Sequence, residues 1–409
     1  MRRLLVFGAV VVTLVGSASV ASSTTERGVQ QGQERHAPPG GWVGTWSASP
    51  STWVPNTPNG YPNYSIRNVI HTSIGGGTAR VRLSNTFGTS PLTFGKVTLA
   101  VAQSNTSPAA RPGTMRTLTF GGQPSVVVPA AAEVLSDPVR LTVPRDGDLL
   151  VTTYVPTPSG PVTFHAFTGQ TSFFTRAGDF ADQESGAAFT EQTNVWHYVS
   201  GVDVRTAAPG SVVAFGDSIT DGVGSTGNAN HRWPDLLADR LHGRLGVLNA
   251  GISGNRLLLD VPGSSFGRNA LARFADDVLS QGDVRSIILL EGVNDIQQDP
   301  HQTDPAAIIS AYHQLIAQAH ARGIRVIGAT VLPFKGWSAW NETLEATRVA
   351  VNTWIRTSHE FDAVVDFDRV TRDPADPQRL LAAYDSGDHL HPGDVGYQAM
   401  ANAVDLSKL

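Results

Sequence analysis

Along the first half of the chain, apolar and polar residues alternate in short runs. The segments 79–83, 96–101, 125–128 and 148–155 are rich in Val, Leu and Thr, and Val81-Arg82-Leu83 has the two-residue period of a half-buried strand. Gly75-Gly76-Gly77, Gly121-Gly122 and the Thr-Pro-Ser-Gly-Pro stretch at 157–161 separate them as turns. No convincing helical period occurs before residue 205, so 42–205 is read as an antiparallel β-sandwich of jelly-roll kind. Past Pro209-Gly210 the pattern changes. Apolar runs at 211–215, 246–249, 286–290, 324–331 and 363–367 alternate with stretches expected to be helical, opening at Pro234 and covering 269–280, 305–322 and 342–358, with a last helix after the final loop. Strands apolar on both faces, separated by helices, predict right-handed crossovers and a parallel sheet covered on each side. Residues 209–409 are therefore read as a doubly wound α/β domain, whose ligands belong at the carboxyl ends of the strands.

The N-terminus carries a different signal. Arg2 and Arg3 precede an apolar run over 4–15, and small residues follow to Ala21. That is the layout of a secretory signal peptide over 1–21, and its apolar run is shorter than the roughly 20 residues needed to span a bilayer. The polar segment 22–41, with Pro38-Pro39-Gly40-Gly41, reads as a flexible linker. The expectation is a secreted protein with no membrane attachment after cleavage. The chain has 409 residues, enough for two cores, and 16% charged residues is too few for a disordered tail or coiled coil. Its formal net charge of −5, without any Lys/Arg-rich run, argues against a nucleic-acid partner. With no cysteine, disulfides and a thiolate nucleophile are excluded.

Candidate chemistry collects where the apolar runs end. The first ends in Gly216-Asp217-Ser218-Ile219-Thr220, which places a serine hydroxyl at the carboxyl end of a buried strand. The second ends in Asn249-Ala250-Gly251-Ile252-Ser253-Gly254-Asn255, where a freed amide such as that of Gly254 is available to an oxyanion. The third ends in Glu291-Gly292-Val293-Asn294-Asp295, and Asn294 offers a neutral N–H donor. Near the C-terminus stands Asp388-His389-Leu390-His391, an acid and an imidazole that meet if the segment makes one tight turn. Taken singly, each block is also ordinary turn chemistry. Asp388, His389 and His391 also have the residue types of a metal-dependent hydrolase, and a non-catalytic carbohydrate-binding protein is a further alternative.

Together the four blocks resemble the SGNH (GDSL) hydrolases, a family named for one Ser, Gly, Asn and His in separate blocks. Ser218, Gly254 and Asn294 match the first three, and Asp388 with His391 matches the family's final Asp-x-x-His. Ile219 replaces the Leu of the GDSL nickname. Upstream, Trp42-Val43-Gly44-Thr45-Trp46, the Arg-Val-Arg-Leu-Ser-Asn-Thr-Phe-Gly run at 80–88 and Ser200-Gly201-Val202-Asp203 are similar to two-domain bacterial members related to arylesterases and carbohydrate esterases. The resemblance implies a serine esterase acting by an acyl-enzyme, with Ser218, His391 and Asp388 catalytic. It also implies an oxyanion hole from Ser218, Gly254 and Asn294, and no cofactor. Asp217, Asn255 and Asp295 are expected to brace the loops by hydrogen bonds. The implied substrate is a small-molecule or polysaccharide ester with a short acyl group such as acetyl, on sugar or aryl alcohols. The short link at 206–210 predicts that sandwich loops wall one side of the site.

Overall fold

The short apolar runs of the first half pair as antiparallel strands in two smaller sheets and two large ones. In the computed structural model, which describes residues 40–409, one sheet runs in the order Gly41–Ser47, Val199–Thr206, Gly76–Ser84 and Val139–Val143. The other runs Glu191–Thr193, Ser172–Thr175, Tyr64–Thr72, Gly147–Val155, Lys96–Val101 and Arg116–Thr117. The expected signal peptide, and the linker up to residue 39, lie outside the described residues. Gly41, at the end of that linker, already belongs to the first strand.

The two sheets form a sandwich because their inner faces share one core. Val81, Leu83, Val202 and Val204 from the first meet Ile66, Ile70, Val97, Leu99, Leu149 and Val151 from the second. The outer face of the second sheet is covered as well: Val69, Ala100 and Leu150 pack with Phe173 and Phe189. No helix interrupts 41–206 among the described residues.

The second half builds a five-stranded parallel sheet from Ser211–Gly216, Gly246–Gly251, Val284–Leu290, Arg325–Ala329 and Ala363–Val365. In space the order is second, first, third, fourth, fifth. The chain thus reverses direction across the sheet beside the first strand, the place where doubly wound folds open a crevice. Val213, Ile287, Ile288 and Val326 are all buried in one core with Leu237, Leu315 and Val351 of the covering helices. The helices Trp233–Leu241, Pro305–His320 and Glu342–Thr357 lie where the amphipathic stretches place them.

The departures are local. The helix expected over 269–280 is α-helical only over Ala270–Phe274 and continues as a π-turn over Ala275–Leu279. Three helices of one turn or little more, Ser218–Asp221, Val293–Gln297 and Phe367–Thr371, follow strand ends and are too short to show a period.

Sandwich and parallel sheet belong to one compact unit with a common seam. Strand Gly41–Ser47 lies on the second parallel strand, and a Cβ on Gly44 would stand 2.7 Å from Leu248 Cδ1. Across the seam Val247 N–H donates to Ser73 Oγ (2.9 Å) and Ser47 Oγ–H to the Asn249 carbonyl (3.2 Å).

Candidate active site

The first parallel strand delivers its serine through a sharp turn. Asp217 has extended backbone and caps the helix that Ser218 opens, its Oδ1 accepting the Ile219 N–H at 2.9 Å. Ser218 is buried, 5% exposed. Its hydroxyl lies 2.8 Å from His391 Nε2. On the far side of the ring, Nδ1–H donates to Asp388 Oδ2 at 2.6 Å. The Asp388–His391 segment makes the tight turn expected of it, with Asp388 Oδ1 accepting the backbone N–H groups of Leu390 (2.9 Å) and His391 (2.8 Å). Partial burial works against a charged Asp388, but the His391 ring and these two N–H groups outweigh it and hold its carboxyl well below the usual carboxylate range. An ionised Asp388 keeps the proton on Nδ1. Nε2 is then left as a lone-pair acceptor facing the serine hydroxyl.

The second and third parallel strands flank the first, so their ends lie on either side of the serine turn. Gly254 sits at φ +79°, and a Cβ there would overlap the Phe266 ring, so both conformation and space require glycine. Its N–H has no acceptor among the described residues. Asn294 spends one amide hydrogen on the Asn255 carbonyl (2.8 Å), while its Oδ1 accepts from Gln297 Nε2 (2.8 Å), which fixes the amide orientation and leaves its second N–H hydrogen available. Gln297 Oε1 in turn accepts the Trp337 indole N–H at 2.9 Å, and the Trp337 ring stands edge-on to His391 at 6.4 Å.

The three expected bracing residues all make such bonds. Asn255 donates to the Phe266 and Arg268 carbonyls (2.7 and 2.8 Å), and Asp295 accepts the N–H groups of Leu257 and Leu258 (2.7 and 3.0 Å). Burial pushes the Asp217 carboxyl up to about 7 and that of Asp295 up to about 6. Buried Glu291 is raised well above the ordinary carboxylate value, mainly by burial and then by the nearby Asp217.

Two residues were missed from the sequence. Arg273, fully buried, donates from Nε to Asn255 Oδ1 (2.8 Å), from Nη1 to the Ala250 carbonyl and Asp277 Oδ2 (2.8 and 2.9 Å), and from Nη2 to the Gly216 carbonyl and Glu291 Oε1 (2.9 and 3.2 Å). All five guanidinium N–H groups are thereby used, tying the ends of the first three strands to one another. The second residue comes from the sandwich. His165 bonds the Ser49 carbonyl through Nδ1 (2.8 Å) and Asp221 Oδ1 through Nε2 (3.0 Å). Both partners are acceptors and Asp221 ends the serine helix, so the sandwich grips that helix directly. Asp221 Oδ2 also accepts the N–H and hydroxyl of Ser253 (2.9 and 2.6 Å).

The remaining candidate, His389 of the metal-ligand alternative, lies elsewhere. His389 is exposed and turns to Asp385 (2.6 Å), away from the serine. Among the described residues, no three His, Asp or Glu side chains converge as metal ligands. Trp233 packs against Phe367, Arg232 pairs with Asp235, and Arg256 binds the Pro300 carbonyl, so these three have packing and loop-holding partners. Trp46 is buried and Tyr61 stacks on Tyr64, whereas Trp53 is exposed.

A buried serine and imidazole and a partly exposed carboxylate in one hydrogen-bonded line, at the carboxyl ends of a doubly wound parallel sheet, form the constellation of a hydrolase. Comparison with known proteins makes the class specific. Residues 214–399, a little under half of the chain, match the GDSL-like Lipase/Acylhydrolase family, which marks this part as a hydrolase domain of the esterase and acylhydrolase kind. Similar solved structures include a putative lipolytic protein of the G-D-S-L family from Desulfitobacterium hafniense DCB-2, 22% identical with a TM-score of 0.37, covering 47% of this chain and 96% of that one. The aryl esterase of M. Smegmatis is 16% identical with a TM-score of 0.39, covering 47% and 95%. A carbohydrate acetylesterase from Sinorhizobium meliloti is 17% identical with a TM-score of 0.37, also covering 47% and 95%. No curated protein matches the chain.

Proposed function

We propose that this hydrolase cleaves carboxylic esters by two-step acyl transfer, with Ser218 as nucleophile, His391 as general base and acid, and Asp388 as orienter. The observation that carries the reading is the continuous line from Ser218 Oγ to His391 Nε2 (2.8 Å) and from Nδ1 to Asp388 (2.6 Å). As Oγ bonds to the ester carbon, its proton passes to Nε2. The tetrahedral oxyanion is met by the N–H groups of Ser218 and Gly254 and by the free amide hydrogen of Asn294. When the C–O bond to the alcohol breaks, His391 returns the proton to the leaving oxygen. Water then attacks the acyl-serine with His391 again accepting a proton, and as the acyl C–Oγ bond breaks that proton passes to Ser218 Oγ, releasing the carboxylic acid and the free serine.

The substrates we propose are short acyl esters, acetyl above all, of carbohydrate or aryl alcohols, hydrolysed outside the cell after removal of residues 1–21. In this reading the jelly-roll-like sandwich, 42–205, is a partner domain to the hydrolase domain, 209–409. The testing experiment is turnover of p-nitrophenyl acetate, with and without chelator, by the natural chain and by Ser218→Ala. Activity that survives chelation and disappears with the folded variant supports the serine mechanism. Loss on chelation with recovery on added zinc overturns it in favour of a metal-dependent hydrolase.

A further inference from the structure

We propose that a groove between the sandwich and the loop after the second parallel strand binds the sugar part of a glycoside ester, with Trp53 as its stacking platform. This rests on the esterase reading and adds the substrate's alcohol to it. One wall comes from the sandwich strand Thr52–Trp53 and from Phe164, the other from Ser264 and Ser265. Asn56 stands at the sandwich side.

Three observations assign the groove. The first is location. Ala166, in the sandwich wall, follows His165, which holds the end of the serine helix through Asp221. Ser265, in the opposite wall, precedes Phe266, whose ring covers Gly254. Each wall is therefore one residue along the chain from a group that touches the candidate site. These two contacts put the groove beside the candidate site.

The second is the state of Trp53. It is 47% exposed, the one aromatic among the exposed large hydrophobic residues described. It is also held in place. Its backbone pairs with Thr163, and the Phe87 ring supports it at 6.5 Å. An indole held rigidly with its surface in water loses little freedom when a ligand covers it. The opposite loop is likewise stiffened, with Ser264 Oγ–H donating to the Val261 carbonyl (2.6 Å) and accepting the Phe266 N–H (3.2 Å).

The third is chemistry. No charged side chain lines the groove; Trp53 is its exposed aromatic surface, and Thr52, Ser264, Ser265 and Asn56 bring hydroxyl and amide groups. A phosphorylated or cationic alcohol would find no counter-charge there. A long acyl chain would leave the polar margins without partners. A neutral pyranose suits both parts: its C–H face lies on the electron-rich face of an indole, and its hydroxyls reach the polar rim.

The test uses the full chain, Trp53→Ala and Trp53→Phe, with acetylated xylotriose, p-nitrophenyl acetate and unacetylated xylotriose. Truncating a central Trp contact costs a bound ligand about fivefold or more. Trp53→Ala should therefore raise KM for acetylated xylotriose by about that factor, Trp53→Phe by less, and p-nitrophenyl acetate turnover should stay within about twofold. Calorimetric titration of unacetylated xylotriose needs no catalysis, so it reads the groove even if esterase activity is absent. Binding to the natural chain that Trp53→Ala weakens supports the groove. No binding to the natural chain, binding indifferent to Trp53, or an equal fall on both esters overturns it.

Discussion

Asn294 illustrates how much one side chain does at the residue scale. One amide hydrogen is committed to the Asn255 carbonyl and its oxygen to Gln297, so rotation is blocked and the second hydrogen is aimed before substrate arrives. A donor fixed in this way stabilises a developing oxyanion more than a ground-state carbonyl. Asn294→Ala should lower kcat about 10²- to 10³-fold with KM nearly unchanged, read from steady-state kinetics on p-nitrophenyl acetate. A tenfold rise in KM at constant kcat would make Asn294 a substrate-binding group instead. Asp217 presents the opposite electrostatic case. Burial raises its carboxyl from 3.8 to about 7, so the fold favours the neutral acid. The stability this lends is present in full below the ordinary value and is lost as pH rises through about 7. Asp217→Asn keeps the acceptor for the Ile219 N–H and removes the titration. The natural chain should thus lose more Tm between pH 5 and pH 8 than the variant does. Equal losses in both would show that Asp217 is not the group responsible.

The elements explain which parts of the site were legible. Every apolar run of the second half became a parallel strand, because uninterrupted Val, Ile and Leu have few other places to go in a covered sheet. The four blocks with Ser218, Gly254, Asn294 and His391 were readable because each follows directly on such a run or packs its acid and imidazole within one turn. Arg273 could not be read this way. Its partners are mostly carbonyls and side chains of distant loops, which leave no residue pattern, and the π-turn that follows it shifts the helical period its neighbours would have shown. His165 was hidden for a similar reason, since its partner Asp221 lies across the seam, 56 residues away. Arg273→Lys tests the element scale. A lysine retains the charge but offers three donors from one point, too few to hold the first three strand ends. The expected result is a fall in kcat of about 10- to 10²-fold, with KM for p-nitrophenyl acetate changed far less, in a protein whose circular dichroism is unaltered. A lowered Tm with unchanged kcat would reduce Arg273 to a packing residue.

For the whole molecule, the catalytic set read from the sequence lies entirely after residue 209, which made the sandwich look like an accessory wall. The structure ties the halves more closely. Gly44 leaves just enough room for Leu248, Val247 is bonded to Ser73, and His165 reaches the serine helix. Halves that share a buried seam should unfold together, so scanning calorimetry should give one transition. Gly44→Val, which forces a branched side chain against Leu248, should destabilise by about 1–3 kcal/mol and move that transition down as a whole. Two separate transitions would mean that the halves are independent. The central claim, however, is that Ser218 is the nucleophile of an acyl-enzyme. Its most direct test is mass spectrometry of the full chain after reaction with diethyl p-nitrophenyl phosphate, which transfers a phosphoryl group to an activated serine. The account predicts one adduct, on the peptide containing Ser218, with loss of esterase activity in proportion to labelling. An adduct at another residue, or full labelling of Ser218 with activity intact, would contradict it.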